Sequence, residues 1–109
     1  MLKNNKLIYP PNYYPSVFII GTQKSGTSTL FEWLKQDNRL QFPKYKETHY
    51  FSTNYKLGSK WYLQLFKNYK KNKIRCEIDP SYLFYPKAVS RILKIATFPK
   101  FIVILRRPI

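Results

Sequence analysis

Between an apolar run, Phe18-Ile-Ile20, and a stretch of helical periodicity lies Gly21-Thr-Gln-Lys-Ser-Gly-Thr-Ser-Thr29. Two glycines, a lysine and several hydroxyls at a strand–helix junction are the chemistry of a phosphate cradle. Backbone N–H groups of the turn converge on an anion, and the positive end of the helix dipole faces it. Gly21 can adopt backbone conformations closed to other residues, and Gly26 lets the chain approach a ligand with no Cβ in the way. Lys24 supplies a mobile positive charge, while Ser25, Thr27, Ser28 and Thr29 supply hydroxyl donors at the helix entrance. A bound phosphorylated ligand, and hence an enzyme, is the expectation.

Gly21 and Gly26 have the separation of the P-loop pattern G-x-x-x-x-G-K-[ST], but Thr27 stands where that lysine belongs. The lysine has moved inside the loop, to position 24. A nucleoside-triphosphate hydrolase needs the absent lysine on its β- and γ-phosphates. The arrangement suits a ligand with one phosphate and a neighbouring leaving-group oxygen better than it suits a kinase. The bland alternative is a tight glycine turn with incidental hydroxyls.

The elements that would hold this loop follow from apolar patterning. Ser16–Ile20 reads as a strand covered on both faces, because it is apolar without alternation. Thr27 to about Gln36 reads as a helix with Leu30, Trp33 and Leu34 on one face, ended by Asp37-Asn38. Gly58-Ser59 offers a break and N-cap for a helix running to about Tyr69, with Tyr62, Phe66 and Tyr69 as its core stripe. Ile74–Ile78 reads as a second strand. A helix beginning near Pro86 carries Val89, Ile92, Leu93 and Ala96, and Phe101–Leu105 reads as a third strand, apolar on both faces. Strands alternating with helices predict an α/β fold, a P-loop-like parallel sheet with flanking helices. Since the chain stops at Arg106-Arg-Pro-Ile109, straight after the third strand, an incomplete domain is expected. Ligands of such sheets bind beyond the carboxyl ends of the strands, where Gly21 and Arg106 both fall.

Bulk properties narrow the field. The chain has 109 residues, room for one domain at most, and its 44% hydrophobic content is ample for a packed core. The longest apolar run is far too short to cross a bilayer, and residues 1–16 resemble neither a signal peptide nor an anchor. Cys76 is the sole cysteine, which excludes an internal disulfide and makes a reducing cytoplasm the expected location. The net charge of +15 fits a polyanion partner, yet Lys, Asn, Ile and Tyr share AT-rich codons, so base composition offers a blander cause. On that reading Lys67-Asn-Tyr-Lys-Lys-Asn-Lys-Ile-Arg75 is a solvated helix end and loop, and no nucleic acid is expected as partner.

Five segments, in order, resemble the sulfotransferase family that uses 3′-phosphoadenosine-5′-phosphosulfate, especially its carbohydrate branch, which includes the heparan sulfate enzymes. Gly21–Thr29 is similar to the 5′-phosphosulfate loop, with its lysine inside the loop. Lys46-Glu-Thr-His-Tyr-Phe51 resembles Lys-Glu-x-His-[Phe/Tyr]-Phe, and Trp61-Tyr62 after Gly58 recurs in these enzymes. Glu77-Ile-Asp-Pro-Ser-Tyr82 is close to Glu-Lys-[Ser/Thr]-Pro-x-Tyr, and Ile102-Val-Ile-Leu-Arg-Arg-Pro108 resembles the strand and turn that begin the 3′-phosphate site.

The resemblance implies transfer of a sulfuryl group from that donor to an acceptor hydroxyl or amine, on a carbohydrate, with no metal. It assigns Gly21, Lys24, Ser25, Gly26, Thr27, Ser28 and Thr29 to the 5′-phosphate, and Arg106 to the 3′-phosphate through its planar donors. Lys24 would also neutralise charge on the departing phosphate, and Glu47 would take the acceptor's proton. Glu47 has a plainer role open to it, pairing with Lys44 or Lys46. His49 reads first as a packed or hydrogen-bonded histidine, then as a support for Glu47 or the acceptor. Ile78 stands where the family pattern has lysine, and the serine that completes the 3′-phosphate site lies beyond this chain. Residues 1–15 are expected to form an irregular arm, and 16–109 the amino-terminal part of a sulfotransferase domain. A nucleotide kinase-like enzyme and a non-catalytic polyanion-binding module are the rival readings; no cluster of metal ligands is expected.

Overall fold

The computed structural model describes residues 2–3, 6–7, 9–21 and 27–105. Leu2–Lys3 (β1) and Lys6–Leu7 (β2) pair antiparallel. A 3-10 turn over Pro11–Tyr13 leads to a buried Tyr14, so the expected irregular arm carries local structure and reaches the core. Val17–Gly21 (β3), Leu40–Gln41 (β4), Ile74–Ile78 (β5) and Lys100–Ile104 (β6) form a parallel sheet in the order β4-β5-β3-β6. Thr27–Leu34 (α1), Gly58–Leu63 (α2) and Ala88–Ile95 (α3) connect them. The α/β fold with a parallel sheet and flanking helices is the one the patterning predicts.

Phe18, Ile19 and Ile20 on β3 are buried, as a central strand covered on both faces requires. The core beside them is aromatic. Phe51 packs edge-on to Phe18, Tyr62 and Tyr82, with ring centroids 5.7, 5.2 and 5.8 Å away, and Tyr50 stacks on Tyr62 at 4.4 Å. Such pairs contribute about 0.5–1.5 kcal/mol each beyond their area burial.

Several expected elements are displaced, each for a physical reason. β6 is not buried on both faces: Ile102 and Val103 are about half exposed, because β3 is its only strand neighbour among the described residues. α2 stops at Leu63, not near Tyr69, since the Leu65 carbonyl accepts from the Lys44 N–H at 2.7 Å and is withdrawn from a helical ladder. Tyr62 and Phe66 are nonetheless core, as their spacing implied. Ser59 makes no cap bond; its hydroxyl instead accepts from Tyr14 at 2.6 Å. On α1, Leu30, Phe31 and Leu34 are half-buried while Trp33 is exposed, and on α3 the buried line runs through Ala88 and Ile92, leaving Leu93 exposed. Arg75 is not part of a solvated basic run. It lies on β5 with 5% exposure, donating to the Tyr13 carbonyl at 2.6 Å, the Lys67 carbonyl at 2.8 Å and Gln41 Oε1 at 2.7 Å.

Candidate active site

The parallel strands bring Gly21, Asp79 and Leu105 to the carboxyl edge of the sheet. At Gly21, which pairs with Ile104, an added Cβ would sit 2.0 Å from the Ile104 carbonyl oxygen. Only glycine fits, and the reason is close backbone approach to β6. α1 begins at Thr27 on this edge, and Thr29 is exposed in its first turn. Lys24, Ser25, Gly26 and Arg106 lie outside the described residues, as do the side chains of Thr27 and Ser28.

Two acids at the end of β5 hold the segment that carries Glu47 and His49. Glu77 is wholly buried. Its Oε2 accepts from the Thr48 N–H at 3.1 Å and from the Thr48 hydroxyl; its Oε1 accepts from the Tyr62 and Tyr82 hydroxyls at 2.7 and 3.0 Å. Asp79, also wholly buried, caps the 3-10 turn Pro80–Leu83. Its Oδ1 accepts from Ser81 N–H and Oγ–H at 3.1 and 2.6 Å, and its Oδ2 accepts from the His49 N–H at 2.9 Å. Two carboxylates spaced i, i+2 thus take the successive amides of Thr48 and His49. Asn54 and Ser52 close the segment from the other side, the Asn54 amide donating to the Thr48 carbonyl at 2.9 Å and both backbones to the His49 carbonyl.

This clamp turns the side chains of Glu47 and His49 outward, 30% and 42% exposed. Glu47 lies 3.9 Å from Lys46 Nζ, one of the two lysine pairings foreseen for it, while Lys44 rests over the Tyr45 ring. His49 is hydrogen-bonded, its Nδ1 3.2 Å from Asp79 Oδ2 and 3.3 Å from Ser81 Oγ, with a backbone φ of 55°. Glu47, His49 and Asp79 each place one oxygen or ring nitrogen within 4.8 Å of the others. The sequence did not foresee that cluster, although the Asp79 oxygens are already committed to protein donors.

Burial pushes the Glu77 carboxyl up to about 7; the neighbouring Asp79 adds to the effect, and the hydrogen bonds from Thr48 and Tyr62 oppose it. The phenols of Tyr62 and Tyr82 are driven well above their usual range, chiefly by burial. Cys76 is buried and pushed up to about 12, which makes it an inert core thiol. Glu77, Asp79 and Ser81 were not among the residues singled out for a site. An acid between the apolar Cys76 and Ile78 of a strand, and Asp before Pro-Ser, were the available signals. A separate cleft of about 650 Å³ between α1 and β4, bordered by Phe31, Lys35, Lys44, Lys67 and Lys73, contains none of these groups.

No protein-family model matches the chain. The membrane-associated sulfotransferase kil1 of Dictyostelium discoideum is 32% identical over 107 residues, 95% of this chain and 22% of that protein. Heparan sulfate glucosamine 3-O-sulfotransferase 3B1 of Mus musculus is 34% identical over 95 residues, 87% of this chain and 24% of that protein. A solved sulfotransferase from Alicyclobacillus acidocaldarius matches with a TM-score of 0.71 and 27% identity, over 83% of this chain and 43% of that one. The chain spans about a quarter of the length of the curated relatives it matches. No helix among the described residues is long and apolar enough to cross a membrane. Sequence and fold agree over most of its residues: the chain is similar to a part of these sulfotransferases, in sequence and in fold.

Proposed function

We propose that this chain contributes the donor loop and the catalytic base of an enzyme that transfers a sulfuryl group from 3′-phosphoadenosine-5′-phosphosulfate to a carbohydrate hydroxyl or amine. The observation that carries this reading is the clamp of Glu77 and Asp79, which presents Glu47 and His49 at the same sheet edge where β3 leaves Gly21 and α1 begins. A base and an anion-binding helix start then share one edge of the sheet, as an acyl-, phosphoryl- or sulfuryl-transfer site needs.

In this reading the loop amides of residues 21–26 and the hydroxyls of Thr27, Ser28 and Thr29 hold the 5′-phosphate, aided by the α1 dipole. Arg106, two residues past the end of β6 in sequence, takes the 3′-phosphate. Glu47 removes the proton from the acceptor as its oxygen or nitrogen bonds to sulfur. The sulfur–oxygen bond to the phosphate breaks with its electron pair on the phosphate oxygen, and Lys24 neutralises that charge. Ile78, at the place of the family lysine, is wholly buried in β5, so Lys24 is assigned this task without a second lysine from that strand. The loop is tested by calorimetric titration of adenosine 3′,5′-bisphosphate into wild type, Lys24→Ala and Gly26→Val. Loss of affinity by tenfold or more in both variants is expected, and equal affinity in all three excludes the loop from the donor site.

A further inference from the structure

Asp79 does more than cap a turn. Its Oδ2 receives two groups of one residue, the backbone N–H of His49 at 2.9 Å and the ring Nδ1 at 3.2 Å, while Oδ1 is occupied by Ser81 N–H and Oγ–H. A carboxylate already accepting from three N–H and O–H donors has only acceptor capacity to offer the imidazole, so Nδ1 must bear the hydrogen. The second neighbour of Nδ1 is Ser81 Oγ, whose own hydrogen is spent on Asp79 and which can likewise accept. In the neutral ring Nε2 then carries the lone pair. Among the described residues it has no hydrogen-bond partner, and the side chain is 42% exposed beside Glu47.

The backbone supports the same assignment. His49 holds φ at 55°, a conformation unusual for a residue with a side chain. Its carbonyl accepts from the amides of Ser52 and Asn54 at 3.2 and 2.9 Å and from the Ser52 hydroxyl at 3.1 Å. A left-handed conformation secured from both sides fixes where the ring stands, which packing alone does not require of a half-exposed side chain.

We infer that Asp79 is a positioning residue: it locks His49 as the Nδ1–H tautomer, so that Nε2 accepts a hydrogen bond from the acceptor hydroxyl or amine and aligns it for proton transfer to Glu47. The kinetic part of this inference rests on the proposed sulfuryl transfer; the tautomer does not. His49 is the only histidine in the chain, so its ring nitrogens can be read without ambiguity. Long-range proton–nitrogen spectra of the ¹⁵N-labelled chain with the ring neutral should show Nδ1 protonated and Nε2 bare, whereas a protonated Nε2 overturns the assignment. Asp79→Asn has one amide oxygen for donors that two carboxylate oxygens now serve, so the preference for Nδ1–H should weaken, and kcat of the complete protein should fall by roughly 10²-fold with donor affinity retained. An unchanged tautomer, or a weakened preference with unchanged kcat, contradicts the role. Should Asp79→Asn fail to fold, His49→Ala at its exposed position carries the kinetic arm with the same expected loss, and normal kcat there overturns the role. The Nδ1–H form in a protein that transfers no sulfuryl group would support the lock and overturn the activity.

Discussion

Arg75 and Glu77 stand two residues apart on β5, on the same face of the strand, and neither has an oppositely charged side chain in contact among the described residues. Both charges are buried, and each is satisfied by dipoles. Arg75 donates to the carbonyls of Tyr13 and Lys67 and to Gln41, with its guanidinium 4.9 Å from the Phe66 ring centroid. Glu77 accepts from Thr48, Tyr62 and Tyr82. The partners differ in what they belong to. Those of Arg75 are the segment leading into β3, the edge strand β4 and the chain after α2, so this end of β5 is architecture. Those of Glu77 include the segment presenting Glu47 and His49, so the carboxyl end supports the candidate site. One strand uses opposite charges to fasten its two ends to different things.

The largest effect on stability is expected at Arg75. Arg75→Ala leaves three acceptors without their donor inside the protein and removes the cation stacked on the aromatic rings, a loss of about 3 kcal/mol by denaturant midpoint. Product affinity in the folded fraction should be unchanged. A large drop in that affinity would erase the proposed division between the two ends.

Glu77→Gln should cost less, about 1–2 kcal/mol, but should disturb the site, since one amide group cannot accept from all of Thr48, Tyr62 and Tyr82. It also has a pH signature. Burial raises the folded-state pKa of Glu77 from its ordinary 4.5 to about 7, so the folded protein holds a proton that the unfolded chain releases across that interval. The stability contributed by the protonated form is complete below about 4.5 and is lost as pH rises through about 7. The melting temperature of wild type relative to Glu77→Gln should therefore fall between those two pH values, and a constant difference would show that Glu77 is ionised throughout.

Tyr82→Phe sharpens the comparison further. It removes one of the donors to Glu77 and the hydroxyl that accepts from the Phe51 N–H at 3.2 Å, while keeping the ring. A loss of about 1 kcal/mol is expected in chemical denaturation. A loss as large as that of Arg75→Ala would mean that the network around Glu77 acts as a unit.

How far the sequence could foretell this follows from the same residues. β3 was legible because a central parallel strand is apolar without alternation, and β5 was placed as a strand although Arg75 and Glu77 interrupt its apolar residues; the loop read from its glycines and hydroxyls after Gly21 lies outside the described residues. The burial of Arg75 and Glu77 was not, because charged side chains read as solvated unless their distant partners are known; the Gln41 and Tyr13 groups that meet Arg75 are 34 and 62 residues away. The end of α2 depends on a backbone bond from Lys44, which no local pattern records. β6 reads as apolar on both faces, yet what covers a strand is set by its neighbours and not by its own composition. At the candidate site, Glu47 and His49 were proposed through family resemblance, whereas the residues that hold their segment were missed because Asp79 reads equally well as an ordinary turn residue.

Glu47→Gln is the smallest change to the fold and the most direct test of the account. Glu47 is partly exposed and contacts only Lys46 among ion-pair partners of the described residues, so stability should shift by less than about 0.5 kcal/mol. The measurement is steady-state transfer of radiolabelled sulfate from 3′-phosphoadenosine-5′-phosphosulfate to a glycan hydroxyl by the complete protein, alongside donor affinity. The account predicts kcat lowered roughly 10²–10⁴-fold with donor affinity unchanged. Near-normal kcat in Glu47→Gln would contradict it.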